Sequence, residues 1–157
     1  MSELTVSYGL LPPQGHSSQN LHILPISKIL YPYDRNDYFV TCGRDGSVIR
    51  HQCTPEGVSI GGVKVQAHSD WVTDIIQVDS NSYVTVSYDF SIVLLTWRPA
   101  LDNWETKIIG DHKDYIKCIV EIPTNEEDRI MFATGGLDKK VKVWKMESKV
   151  NGAECIR

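Results

Sequence analysis

An all-β fold of repeated four-stranded antiparallel units is predicted by three observations. A phrase recurs: "YFVTCGRDGSVIRHQ" from Tyr38, "SYVTVSYDFSIVLLTW" from Ser82 and "IMFATGGLDKKVKVWK" from Ile130. Each copy sets a Thr four residues before an Asp: Thr41 and Asp45, Thr85 and Asp89, Thr134 and Asp138. A second phrase precedes it, "AHSDWVTDIIQV" from Ala67 and "DHKDYIKCIVEI" from Asp111, with His68 and His112 lying 44 residues apart. "LHILPISKILYP" from Leu21 is a weaker first copy with His22 in the equivalent place. Finally, β-branched and aromatic runs alternate with polar breaks, and no stretch keeps a helical period. A unit of about 45 residues made of short strands is the period of propeller blades. The expected architecture is three four-stranded antiparallel blades forming part of a larger ring.

The blades are expected at about 22–66, 67–110 and 111–157. In the first, a strand within 21–31 leads through the break "PYDRND" (32–37) to the strand beginning at Tyr38. Its fourth strand is "GVSIGGVKVQ" (57–66), where Gly61 and Gly62 mark a bulge or kink. In the second, "DSNS" (79–82) is the first turn and "NWETKIIG" (103–110) the fourth strand. The third reads most clearly: "YIKCIVEI" (115–122), the break "PTNEED" (123–128), "RIMFATG" (129–135), a turn at "GLDK", and "KVKVWKM" (140–146). The chain stops at "AECIR", where a fourth strand should run, so it reads as the N-terminal piece of a longer ring. Three blades alone leave apolar radial faces open, including Ile26, Ile29, Val141 and Val143. The isolated chain is therefore expected to self-associate.

The spacing has a chemical reason. In an up-down meander, the loop into the first strand and the turn between the second and third open on one face. An Asp carboxylate there accepts from one imidazole nitrogen and fixes its tautomer. The other nitrogen accepts from the Thr hydroxyl, and that oxygen accepts from an indole N–H. The third blade has all four members: His112, Thr134, Asp138 and Trp144. The second has His68, Thr85 and Asp89, but Leu95 stands six after the Asp and Trp97 falls two later. The first has Thr41 and Asp45 with His51 in the Trp place. Both of those networks are expected to be incomplete. A Thr–His–Asp set could be taken for a hydrolase triad, but a set recurring three times with members missing suits scaffolding.

Composition narrows the function classes. The 157 residues are 41% apolar and 23% charged, which is a globular balance. Net charge is −4 and the pI near 5.7, which argues against a nucleic-acid surface as the main business. Cys42, Cys53, Cys118 and Cys155 form no C-x-x-C pair and no zinc spacing, so reduced, mostly buried thiols are expected. No cofactor or metal site is legible. The N-terminus lacks a basic segment and an apolar core, so no signal peptide is read. "IVLL" (92–95) is too short to span a bilayer. Lys139, Lys140, Lys142 and Lys145 read as solvated positions alternating with Val141 and Val143 rather than a phosphate site. Gly135 and Gly136 belong to a turn, since no helix follows.

With His, Thr, Asp and Trp at these spacings, the chain resembles the WD-repeat family from about residue 22 to 157. "AHSDWVTDI", "DHKDYIKCI" and "ATGGLDKKVKVW", after an N-terminal "VSYG", are similar to the opening of WD-repeat cofactors of ubiquitin-specific proteases, including fungal deubiquitinase-associated relatives. The resemblance implies that residues 4–9 form a strand of the closing blade. It also implies non-catalytic activation of deubiquitinating enzymes, often with ubiquitin binding, while the reduced thiols lead one to expect a cytoplasmic or nuclear protein. A generic WD-repeat adaptor in a ligase or trafficking assembly is the alternative. On the His–Asp face, Trp71 and Tyr115 hold the same place in two repeats, with Ser69 and Lys113 before them. Arg44, Tyr88 and Leu137 immediately precede the turn aspartates. Aromatic and Arg side chains on one rim are what a protein-binding surface favours. For Trp71 and Tyr115, packing against the channel wall is an equal reading.

Overall fold

The computed structural model describes residues 21–34, 37–54, 57–58, 62–125, 129–147 and 153–156. The strand expected at residues 4–9 lies outside these, as does Gly61.

Among the described residues, every regular element is a strand, and the strands form three antiparallel sheets. The first sheet holds β1 (Ile26–Leu30), β2 (Tyr38–Gly43), β3 (Ser47–Thr54), β4 (Gly57–Val58) and β5 (Val63–Gln66). The second holds β6 (Val72–Asp79), β7 (Ser82–Ser87), β8 (Ser91–Arg98) and β9 (Asn103–Asp111). The third holds β10 (Ile116–Ile122), β11 (Arg129–Gly136), β12 (Val141–Glu147) and β13 (Ala153–Cys155). Strand order follows the chain in the second and third sheets, the meander of a propeller blade. In the first, both β4 and β5 pair with β3, so the expected outer strand at 57–66 is two pieces. At Gly62 a Cβ would come within 2.2 Å of the Arg50 carbonyl oxygen, an approach open only to glycine.

The middle blade explains the packing. All six residues of β7, "SYVTVS", are buried, because both faces of this sheet are covered. With a two-residue period, Val84 and Val86 of β7 and Ile92 and Leu94 of β8 face the third blade. There they join Ile116, Ile119, Phe132, Trp144 and Met146 in one core. Tyr83, Val93 and Leu95 turn the other way and meet Tyr38, Val40, Cys42 and Val48 of the first blade. Each fully buried Val, Leu or Ile contributes about 1.5–3 kcal/mol, so these two inter-blade cores dominate the stability. Gly110 serves the first of them: a Cβ there would meet the Trp144 indole at 2.5 Å.

Beyond the outer blades the apolar surface is open. Ile29 is 63% exposed at one end and Val141 is 71% exposed at the other. Val141 thus stands open, as expected of a radial face without a neighbour, whereas Lys142 departs from the solvated position read for it. Lys142 is half-buried, its Nζ donating to the Asp111 carbonyl at 2.6 Å, because its side of the strand faces the second blade. The thiols also depart from expectation. Cys42 is buried, and burial pushes it up to about 12. Cys118 and Cys155 are exposed.

Candidate protein-interaction face

Three polar networks organise one face of the molecule. In the third blade, His112 Nδ1 lies 3.0 Å from Asp138 and Nε2 lies 2.7 Å from the Thr134 hydroxyl. Trp144 Nε1 donates to that same hydroxyl at 2.9 Å. His112, Thr134 and Trp144 are buried, so each polar atom relies on the next. In the second blade His68 meets Asp89 at 3.1 Å and Thr85 at 2.9 Å. Leu95 supplies no donor there, and the Thr85 hydroxyl also lies 3.3 Å from the Val93 carbonyl oxygen.

The first blade corrects the expectation of an incomplete set. His22 lies 2.9 Å from both Asp45 and Thr41, and His51 Nε2 lies 2.8 Å from the Thr41 hydroxyl. An imidazole N–H at the end of a side chain on β3 reaches where the indole N–H reaches on β12. His51 is held there by stacking on Phe39, with ring centroids 4.7 Å apart. Burial, and then the neighbouring His22, push His51 down to about 4.

Two serines were not singled out from the sequence. Ser47 and Ser91 stand two residues after Asp45 and Asp89, and each hydroxyl donates to its carboxylate at 2.6 Å. Their recurrence at one place in two repeats was the available signal. Burial acts to raise Asp45 and Asp89. The hydrogen bonds from the serines, the histidines and nearby backbone N–H groups overcome it and hold both carboxyls well below the usual range. Asp138, bonded to His112 and to the N–H groups of Lys140 and Lys113, is also lowered against the opposing effect of burial.

Each inner strand begins with a bulge at the same place: between Ile26 and Lys28, Val72 and Asp74, and Ile116 and Cys118. A bulge re-aims side chains. Asp74 thereby accepts from Lys28 Nζ of the first blade at 2.5 Å and from the Ile119 N–H of the third at 3.0 Å. One carboxylate bridges three blades.

Above the networks, the structure gathers four of the candidate binding residues into one stack. The Arg44 guanidinium sits 4.3 Å from the Trp71 ring centroid. Trp71 stacks on Tyr88 at 5.2 Å, and Tyr88 on Tyr115 at 4.5 Å. Lys117 donates to the Tyr88 hydroxyl. The stack crosses both blade boundaries, so these side chains pack against one another as well as facing solvent. Lys113 and Leu137 are exposed at its third-blade end, where the Leu137 N–H donates to the Tyr115 carbonyl at 2.8 Å. Phe90, not singled out from the sequence, extends the row, its ring 5.5 Å from Tyr115.

Among the described residues no group of His, Cys, Asp and Glu is arranged to hold a metal ion. Among the same residues no helix is long and apolar enough to cross a membrane.

Comparison with known proteins agrees with this geometry. Residues 104–145 match the WD40 family, described as "WD domain, G-beta repeat". The match starts on β9 and ends on β12, so the sequence repeat is offset by one strand from the sheet. The crystal structure of the WD40 beta propeller domain of Doa1 superposes with a TM-score of 0.64 at 19% identity. The alignment covers 87% of this chain and 41% of that one, so the chain spans less than half the length of that domain. The chain thus has the WD40 propeller fold, in three antiparallel blades, with residues 104–145 carrying the sequence of the repeat.

Proposed function

We propose that this chain is part of a non-catalytic interaction scaffold that binds and activates ubiquitin-specific proteases. The observation that carries the scaffold reading is the row Arg44–Trp71–Tyr88–Tyr115, one cation and three aromatic rings in contact along one rim. Aromatic and Arg side chains are the commonest energetic anchors of protein interfaces. The Thr, His and Asp side chains beneath are engaged in joining strands, which leaves binding and not chemistry as the work of this face. The protease reading is supported by the phrases "AHSDWVTDI", "DHKDYIKCI" and "ATGGLDKKVKVW", similar to WD-repeat cofactors of those enzymes. Ubiquitin is a second candidate ligand on the same ground. The reading expects a cytoplasmic protein, present also in the nucleus, where exposed thiols such as Cys118 stay reduced.

Affinity purification of the full-length protein tests it. Ubiquitin-specific proteases should be retained, and their turnover should rise when the purified scaffold is added back. Retention of ligase or trafficking subunits with no protease would replace this reading by that of a generic adaptor.

A further inference from the structure

Each blade fastens the loop before its inner strand to the turn between its second and third strands by the same ties. The Ile23, Ser69 and Lys113 N–H groups donate to Asp45, Asp89 and Asp138. The Arg44, Tyr88 and Leu137 N–H groups donate to the carbonyls of Pro25, Trp71 and Tyr115. His22, His68 and His112 complete the three clasps from the same place. The first clasp differs in one member. His51 stands on Thr41 where the second blade has Leu95 and the third has Trp144 on Thr134. Two imidazoles therefore share the Thr41 hydroxyl, His22 at 2.9 Å and His51 at 2.8 Å.

His51 is buried and holds no carboxylate of its own. Among the described residues, the titratable groups of this cluster are His22 from the loop, Asp45 from the turn and Lys64 from β5. Asp45 is already engaged by His22, Ser47, the Ile23 N–H and Lys64, whose Nζ lies 3.3 Å away. Phe39 covers one face of the His51 ring. A proton added to His51 thus creates an unpaired charge under cover, which exposure to water relieves. Burial and the neighbouring His22 both act in that direction. The cover is weakest at the loop. Leu21, Leu24, Pro25 and Ile26 wall the cavity beside His51, yet Ile23 is 79% exposed and Leu24 48%. Little apolar burial holds residues 21–25, so the polar ties do, and segments held in that way open at low cost.

We propose that His51 makes the first clasp proton-operated: a proton on this ring unfastens residues 21–25 from the turn that carries Arg44, while the second and third clasps stay fastened. Arg44 is the cationic end of the aromatic row, and its N–H loses the Pro25 carbonyl when the loop opens. Acid therefore loosens one end of the face without unfolding the blades. The inference uses contacts of the first blade alone and does not depend on which partner the face binds.

The test is residue-level hydrogen exchange of the full-length protein between about pH 7.5 and about pH 5, corrected for the intrinsic pH dependence of amide exchange. The opened loop takes the proton first, because the closed value of His51, about 4, lies below the ordinary value of about 6.5. Opening read at Ile23 and Arg44 should therefore rise by about tenfold or more over this range, relative to Ser69 and Tyr88 and to Lys113 and Leu137. His22, His68 and His112 hold equivalent places, so an effect of that imidazole is common to the three blades and cancels in the comparison. His51→Gln keeps an N–H donor and does not titrate, and it should abolish the excess. His51→Leu, with the side chain found at Leu95 in the second blade, should do the same. Three results overturn the proposal: no excess rise at Ile23 and Arg44, an equal rise in all three blades, or an excess that survives in both variants.

Discussion

His51 stands 2.8 Å from the Thr41 hydroxyl, the place that Trp144 takes beside Thr134 at 2.9 Å. His22 Nδ1 faces Asp45 and donates to it, so His22 Nε2 accepts from Thr41 and the Thr41 oxygen accepts from His51. Unlike an indole, this donor titrates. The folded value is about 4, below the value of about 6.5 for an unperturbed imidazole. The unfolded chain therefore takes the proton first. The His51 contribution to stability is complete above about pH 6.5 and is lost as pH falls toward about 4. His51→Gln keeps an N–H donor within reach and removes the titration. Urea melts between pH 7 and 4 should show a shallower acid loss for this variant than for the parent. Equal slopes would refute the assignment.

The third network should be worth more than the second. His112→Ala leaves the buried Thr134 hydroxyl short of an acceptor and Asp138 short of a donor. The cost should be about 1–3 kcal/mol. Thr85→Ala removes a hydroxyl that no indole supports, and its cost should be smaller. Denaturant melts of the full-length variants give the order, and a larger loss for Thr85→Ala would contradict the account of the networks.

Asp74 should couple the blades. Asp74→Ala frees Lys28, which reaches water, but strands the Ile119 N–H between two inner strands. A loss of about 1–3 kcal/mol is expected. Hydrogen exchange should quicken at Ile119 more than at residues of the middle sheet such as Val84. Unchanged protection at Ile119 would show that the carboxylate does not hold the blades together.

What the sequence made legible was whatever strand pairing holds at fixed spacing. Thr134, Asp138 and Trp144 keep their intervals because β11 and β12 pair residue for residue across one tight turn. His51 was misread because only an indole was sought, although an imidazole N–H fills the same need. Asp74 escaped notice because its partners lie a whole repeat away, Lys28 on one side and Ile119 on the other. Phe90 escaped because its left-handed turn dihedral is not written in a side chain, and the same turn position accepts Gly46 or Lys139. The binding candidates were legible one by one. Their stacking across blade boundaries required the curvature of the ring, which no local pattern contains.

The open radial faces should drive association. Ile29 on β1 and Val141 on β12 sit on opposite ends of the three blades, both largely exposed. Residues 1–157 expressed alone should elute larger than a monomer and melt broadly, because contiguous exposed apolar surface promotes association. Light scattering checks this, and a monodisperse monomer with a sharp melt would count against it.

The functional prediction concerns the stacked row. Arg44 caps one end of it and Tyr88 lies between Trp71 and Tyr115. Arg44→Ala removes an exposed cation and a contact worth about 0.5–1 kcal/mol at such a site, so the melt should hardly move. Tyr88→Ala separates the two remaining rings and frees Lys117, and should cost more, about 0.5–1.5 kcal/mol for each lost ring pair. If the row is a binding anchor, both variants should weaken retention of ubiquitin-specific proteases and their stimulation. Arg44→Ala should do so with stability intact. That variant separates the two roles, since a row that only packs blades would leave binding untouched when Arg44 is lost. Full stimulation by both variants at unchanged affinity would place the contacts elsewhere on the propeller and leave the row as a staple between blades.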